Sequence, residues 1–264
     1  MRWLSLNGII TLTTDFSMSD AYVGVMKGAI LCVAPKVTIV DLAHDIHAHD
    51  VFEAAFVLHT AYRFFPEGTI HLVVVDPGVG SVRRRIAVKC QGHYFVGPDN
   101  GVFTYALRRS ECDIVEIAGS SQDRGRRGIT FEGRDIFAPA AARLASGATL
   151  SDLGSPASDL VTLDIPQPRI NEHAIDGKMI YIDHFGNCVS NIEAAELERL
   201  GGSVDVAVAG QSVGPLRTSY SDVPVGEPLA IIDSLDHLEI AINQGNAETD
   251  LNVKVGTPVK VIVR

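Results

Sequence analysis

Through the first part of the chain, short apolar runs alternate with longer stretches of helical period. Ile9–Thr14 is rich in β-branched residues and ends at Asp15, and residues 37–43 (VTIVDLA) and 69–75 (TIHLVVV) form two further runs. Between them, residues 20–33 place Val23, Met26, Ile30 and Val33 at helical spacing and stop before Pro35, while residues 50–65 stop before Pro66. Both stretches are therefore expected helices. The third run is continuous enough in Val, Ile and Leu for a strand buried on both faces. RIAVK and YFVG predict a hairpin leading into Pro98-Asp99-Asn100-Gly101, and residues 102–109, 114–118 and 135–145 continue the mixture. This alternation predicts a three-layer α/β/α domain with a largely parallel sheet over residues 1–166.

The pattern changes at DIPQPRI (164–170), where two prolines interrupt any regular element. Beyond it come short β runs separated by Gly and Pro turns: KMIYIDHFGNCVSNI, SVDVAVAG, PLAIIDS, HLEIAIN and TPVKVIVR. Only Ala194–Leu200 has helical character. Residues 167–264 are expected to form a small β-barrel domain.

The chain has 264 residues and is 46% hydrophobic, so it can bury a sizeable core without metals or disulfides. Its formal net charge of −10 argues against nucleic-acid binding, and the run Arg83-Arg84-Arg85 is too short to reverse that. No stretch approaches the ~20 apolar residues of a membrane helix. The N-terminus lacks the long apolar core and small-residue cleavage site of a secretory leader. Cys32, Cys90, Cys112 and Cys188 are widely spaced with no CxxC, which reads as reduced, packed thiols in a cytoplasmic protein.

Polar residues gather where strands end. In open α/β sheets, ligands sit outside the carboxyl ends of the strands, and Asp15, the region of His44 and Asp76 all fall there. Taken alone, Asp15 reads first as a capping residue. VVVDPGVGSVR (73–83) sets a carboxylate and a guanidinium seven residues apart around a Pro-Gly bend. It is neither a Walker loop nor a dinucleotide fingerprint, because no GK[ST] follows and the chain runs on into a strand. HDIHAHD (44–50) has metal-like composition, but it lies at a strand-to-helix junction where Asp50 is a natural N-cap, so it is read as structural. No GxSxG elbow is present, and Cys188 near His184 is read as a packed thiol.

Seven blocks occur in order along nearly the whole chain: TLTTDFSMSDAYVGVMKGAI, VDLAHDI, AAFVLHTAYRFFPEGTIHLVVVDPGVGSVRR, VGPDNGVFT, TFEGRDIFAPAAARLA, DHFGNCVSNI and LEIAINQGNA. Together they resemble the S-adenosylmethionine hydroxide adenosyltransferases, hydrolases related to the fluorinase and chlorinase. The resemblance implies an α/β domain followed by a β-barrel, and a homotrimer with sites at subunit interfaces. It also implies no metal or cofactor, and a small-molecule substrate, S-adenosylmethionine, cleaved by water to adenosine and methionine. Asp76 and Arg83 match two catalytic positions. The third, a histidine in blocks like TFHGRD, is Glu132 here, expected to accept a proton in the histidine's place. By the same resemblance Asp15 would bind the ribose hydroxyls, and Asp183 and Asn187 the methionine end and the nucleoside, with Phe185 as a packing wall. Ser234 would approach the amino-acid carboxylate, although Leu235 and Asp236 depart from the family's turn. Glu239 and Asn243 would line the adenine side.

Three other readings compete. A halogenase is one: the fluorinase has Tyr where Asp76 stands and Ser where Gly133 stands, and a carboxylate beside a halide would repel it. A non-catalytic binder of adenosine or S-adenosylmethionine is consistent with the missing histidine. A metal-dependent hydrolase would have to use HDIHAHD.

Overall fold

The computed structural model describes residues 8–108, 110–118 and 130–264. The start of the N-terminal segment and the last residue of the 102–109 stretch lie outside the described residues. Two compact units divide between Leu163 and Asp164.

The first unit is built on a seven-stranded sheet. Its strands are β1 (Ile9–Thr14), β2 (Thr38–Ala43), β3 (Ile70–Val74), β4 (Arg85–Cys90), β5 (His93–Pro98), β6 (Asp113–Ile117) and β7 (Gly154–Pro156), in the order β2-β1-β3-β5-β4-β6-β7. Pairing is parallel from β2 to β5 and antiparallel from β5 to β7. The parallel half carries the expected βαβ crossovers, and the hairpin of β4 and β5 turns the rest of the sheet antiparallel. Alternation along the strands feeds two cores. Ile10, Leu12, Leu72 and Val74 pack with Met26 and Ile30 of α1 (Tyr22–Val33) on one face. Val73, Val75, Ile86 and Val88 pack on the other face with Ala54 and Leu58 of α2 (Val51–Ala61) and Ala106 of α3 (Thr104–Leu107). α4 (Ala138–Ala145) joins the first core and follows a π-helical turn, Gly133–Phe137. α5 (Leu150–Leu153) completes the unit.

One expectation from composition is corrected here. Cys90 and Cys112 are joined as a disulfide, and Cys32 and Cys188 remain free. The antiparallel register explains the pairing: Lys89 faces Asp113, so the next residues along, Cys90 and Cys112, come opposite each other.

The second unit begins with β8 (Arg169–Ile170), β9 (Ala174–Ile182), β10 (Cys188–Glu193) and α6 (Ala194–Leu200). It continues with β11 (Val204–Val208), β12 (Gln211–Arg217), β13 (Pro228–Ile232), β14 (His237–Ile242), α7 (Ala247–Asp250) and β15 (Pro258–Val263). The order β10-β14-β13-β12-β11-β15-β9 closes on itself through β10–β9, giving a seven-stranded barrel to which β8 adds an edge. Inward residues such as Ile175, Met179, Val206, Ile240 and Val261 fill it. No helix among the described residues is long and apolar enough to cross a membrane.

Candidate active site

The topology of the first unit brings distant residues to one rim of its sheet. β1 and β3 are adjacent and parallel, so Asp15 and Asp76, each just beyond its strand, reach the same edge. β4 runs the opposite way, and its first residue, Arg85, pairs with Pro98 at the end of β5. The reversal therefore puts Arg83 and Arg85 on that rim as well. Glu132 arrives from far along the chain, one residue ahead of the π-helical turn.

The bend after β3 is held locally. Val79 donates its backbone N–H to the Asp76 carbonyl at 3.2 Å and Ser81 donates to the Gly78 carbonyl at 3.0 Å. Gly80 takes φ +77°, a left-handed conformation that costs glycine nothing. Asn100 donates from Nδ2 to the Val75 carbonyl at 2.9 Å, which anchors the residue before Asp76.

Four charged side chains meet above this bend. Arg83 grips Asp76 with a fork: Nε donates to Oδ1 at 2.7 Å and Nη2 donates to Oδ2. The same Nη2 donates to Oε2 of Glu132. Arg85 takes the other oxygen of Glu132, donating from Nε at 2.9 Å and from Nη2. The side chains of Asp76, Glu132 and Arg83 are only 5%, 3% and 10% exposed. The Phe137 ring lies 5.4 Å from the Arg83 guanidinium carbon. Burial opposes the charge on Arg83, but hydrogen bonds and attraction to Asp76, then to Glu132, outweigh it and raise its pKa above the ordinary arginine value. Two carboxylates and two guanidiniums cancel, as a buried charged cluster requires if none is to be left uncompensated. Among the described residues, the one contact of Arg83 Nη1 is the Arg84 carbonyl, at the long distance of 3.5 Å. That nitrogen is the least engaged donor of the Arg83 guanidinium.

The remaining residues of this rim divide by role. Asp15 accepts the His49 backbone N–H on Oδ2 at 2.9 Å. It does not cap α1, whose N-cap is Ala21. The histidines of HDIHAHD disperse to separate partners: His44 to Thr14 and Asp41, His47 to Glu53, and His49 to Asp15. Asp50 caps α2 by accepting the Glu53 N–H. Arg84 points elsewhere, to Asp99 at 2.8 Å and to the Ser158 and Asp159 carbonyls.

In the barrel unit, Asp183 shapes its own turn. Its Oδ1 accepts the backbone N–H groups of Phe185 (2.8 Å) and Asn187 (2.9 Å), and its Oδ2 accepts Asn187 Nδ2 at 3.0 Å. Phe185 is thereby presented outward, 72% exposed. Glu239 is buried on β14 and accepts the Tyr220 hydroxyl at 2.8 Å. Burial pushes its carboxyl up to about 7; the Tyr220 bond opposes this, and the nearby charges of Asp233 and Asp183 add to it. Ser234 is exposed in the turn between β13 and β14. Asn243 donates its amide to the Val223 carbonyl at 2.8 Å and so fastens a neighbouring loop. The structure thus brings Asp76, Arg83 and Glu132 into contact, and separately joins Asp183 to Asn187. Arg85 and Asn100 were missed as site residues by the reading of the sequence. For Arg85 the available signal was alternation, since Arg83 and Arg85 take one partner group and Arg84 another.

Residues 10–154 match the SAM hydroxide adenosyltransferase N-terminal domain, and residues 177–260 match its C-terminal domain. The chain is 37% identical over 259 residues to a protein of Thermus thermophilus named (R)-S-adenosyl-L-methionine hydrolase, covering 94% of this chain and 97% of that one. It is 28% identical over 290 residues to a fluorinase of Actinoplanes sp., covering 97% of each. The crystal structure of an uncharacterized conserved protein from Thermotoga maritima superposes with a TM-score of 0.88 at 35% identity, over 97% of this chain and 100% of that one. Two matched domains in order, together with full-length identity of this size, establish that the chain belongs to the SAM hydroxide adenosyltransferase family.

Proposed function

We propose that the protein splits S-adenosyl-L-methionine into adenosine and L-methionine by attack of water, as hydroxide, on ribose C5′. The observation that carries this reading is the buried Asp76–Arg83–Glu132 contact, with Nη1 of Arg83 left to donate. The sulfonium is a good leaving group and departs as a neutral thioether, so the chemistry asks for neither an acid nor a metal. The scarce component is the nucleophile. A fixed guanidinium donor in a site of low polarity can hold an oxygen in line and favour its anionic form. The hydroxide oxygen donates a pair to C5′, the C5′–S bond breaks, and its pair returns to sulfur. Hydroxide and sulfonium charges cancel, and the proton lost when the water ionises goes to solvent.

In this scheme Asp76 orients Arg83, and Glu132 holds it from the other side. Both Glu132 oxygens receive guanidinium hydrogens, which favours this holding role over the proton acceptance expected from sequence. Asp15 retains Oδ1 for a ribose hydroxyl. Asp183 and Asn187 hold the methionine end and the nucleoside, with Phe185 as a packing wall beside them; Ser234 approaches the amino-acid carboxylate, and Glu239 and Asn243 line the adenine side. A homotrimer, a cytoplasmic location and independence of metal and cofactor belong to the same proposal.

Gly133 bears on the fluorinase form of the competing halogenase reading. A Cβ at this position would lie 3.2–3.3 Å from Met26 Sδ, the Phe131 ring and Val74, leaving little space for a serine. The deciding experiment is incubation with S-adenosylmethionine in H₂¹⁸O, with and without chloride or fluoride. The proposal expects ¹⁸O in the adenosine 5′-hydroxyl and no 5′-halonucleoside. Unlabelled product, or no adenosine over a long incubation, refutes it.

A further inference from the structure

Glu132 brings a second negative charge to Arg83, and that charge has a dedicated answer. Asp76 and Glu132 together outweigh Arg83, leaving the three with a net charge of −1. Such an excess would disfavour an anionic oxygen at Nη1. Arg85 donates twice to Glu132 Oε1 and brings the sum to zero. It also limits how Glu132 can meet Arg83. With Oε1 occupied, only Oε2 is left for Nη2, and Nη1 is not drawn into a second fork.

The neighbouring charges are committed elsewhere. Arg84 is paired with Asp99, Arg134 with the adjacent Asp135, and Asp15 with His49. Phe137, against Arg83, and the Met26, Phe131 and Val74 side chains around Gly133 are uncharged. The local balance of charge is therefore set by Asp76, Arg83, Arg85 and Glu132.

We propose that Arg85 is a positioning residue: by holding and neutralising Glu132 it keeps Nη1 of Arg83 available, and so sets the pH at which the attacking water gives up its proton. This rests on the hydrolase reading above. A packing role for Arg85 would change the height of the rate profile; a charge-balancing role also moves the profile along the pH axis.

The test is the pH dependence of kcat for adenosine release by the full chain at saturating substrate. The proteins compared are wild type, Arg85→Gln, Glu132→Gln, the double variant and Arg85→Lys, each checked for folding by circular dichroism. In Arg85→Gln the rise in kcat moves to higher pH by about one unit, the effect of a single charge at this range. In Glu132→Gln it moves to lower pH, and in the double variant it returns close to wild type. Arg85→Lys keeps the charge but not the fork, so the plateau falls while the midpoint stays. An Arg85→Gln profile that drops without moving, or profiles of Arg85→Gln and Glu132→Gln that move the same way, overturns the proposal and leaves the hydrolase reading intact. No adenosine from wild type overturns both. If Arg85→Gln does not fold, an unmoved midpoint in Glu132→Gln is the refuting result.

Discussion

Acidification should destabilise this protein through a histidine that takes no part in the proposed chemistry. His71 is the second residue of β3 and has no exposed surface. Its Nδ1 is 2.8 Å from Thr11 Oγ1 and its Nε2 is 3.3 Å from Nδ1 of His93. The rings of Tyr62, Phe65 and Phe95 surround it. Burial, and secondarily repulsion from a charged His93, depress its pKa from 6.5 to about 3. Burial also lowers His93, against the pull of Glu67. The unfolded chain thus takes up a proton at His71 below pH 6.5, whereas the folded chain refuses it until about pH 3. Between those values the unfolded state binds more protons, so stability falls as pH falls, by about 1.4 kcal/mol per unit. At pH 4.5, two units below 6.5, His71 alone removes about 2.7 kcal/mol, a large part of a typical 5–15 kcal/mol. The comparison is urea unfolding at pH 7 and pH 4.5 for wild type and His71→Asn, whose amide can keep the Thr11 bond but cannot titrate. The variant starts less stable, because it leaves a void. Wild type should then lose about 2–3 kcal/mol more than the variant over the pH interval. Equal losses would refute the assignment.

Three further outcomes follow from the site and the barrel. Asp76→Asn should cut kcat by about 10²-fold with little change in KM, because Arg83 loses its orienting anion; steady-state kinetics reads both, and a loss confined to KM would contradict the role. Glu239 has its pKa raised from 4.5 to about 7 in the folded state, so its burial costs stability as pH rises through that interval. Glu239→Gln should therefore melt higher than wild type at pH 8.5 and lose that advantage at pH 5, as followed by calorimetry. Thiol labelling of the native protein should modify Cys32 rapidly, while Cys188, buried and pushed up to about 12 by that burial and then by Glu248, Asp183 and Glu239, should react only on unfolding.

The sequence disclosed different parts of this molecule to different depths. Strand β3 was legible because its Val, Ile and Leu residues feed both cores and outweigh the single His71. Asp76 and Arg83 were legible as a pair because one short bend joins them. The Cys90–Cys112 pairing was not, since spacing alone carries no register; it emerges only when β4 and β6 are aligned antiparallel. Arg85 was hidden for a related reason. Three consecutive arginines suggest a basic patch, yet each has its own carboxylate: Asp76, Asp99 and Glu132 come from three separate places in the chain. Composition counts such charges, and only tertiary structure pairs them. The bond from the Asn243 amide to the Val223 carbonyl, which fastens a neighbouring loop, was likewise invisible, because an amide donor serves a loop or a ligand equally well.

The π-helical turn at Gly133–Phe137 carries an evolutionary consequence. Its Ala138 N–H reaches back five residues to the Gly133 carbonyl, one more than an ordinary helix spans. Deleting a single amino acid there would let the backbone anneal into a regular, more comfortable spiral. The same repair would swing Glu132 about 100° around the axis and away from its two arginines. Selection for thermal robustness and selection for turnover therefore pull this one surplus residue in opposite directions.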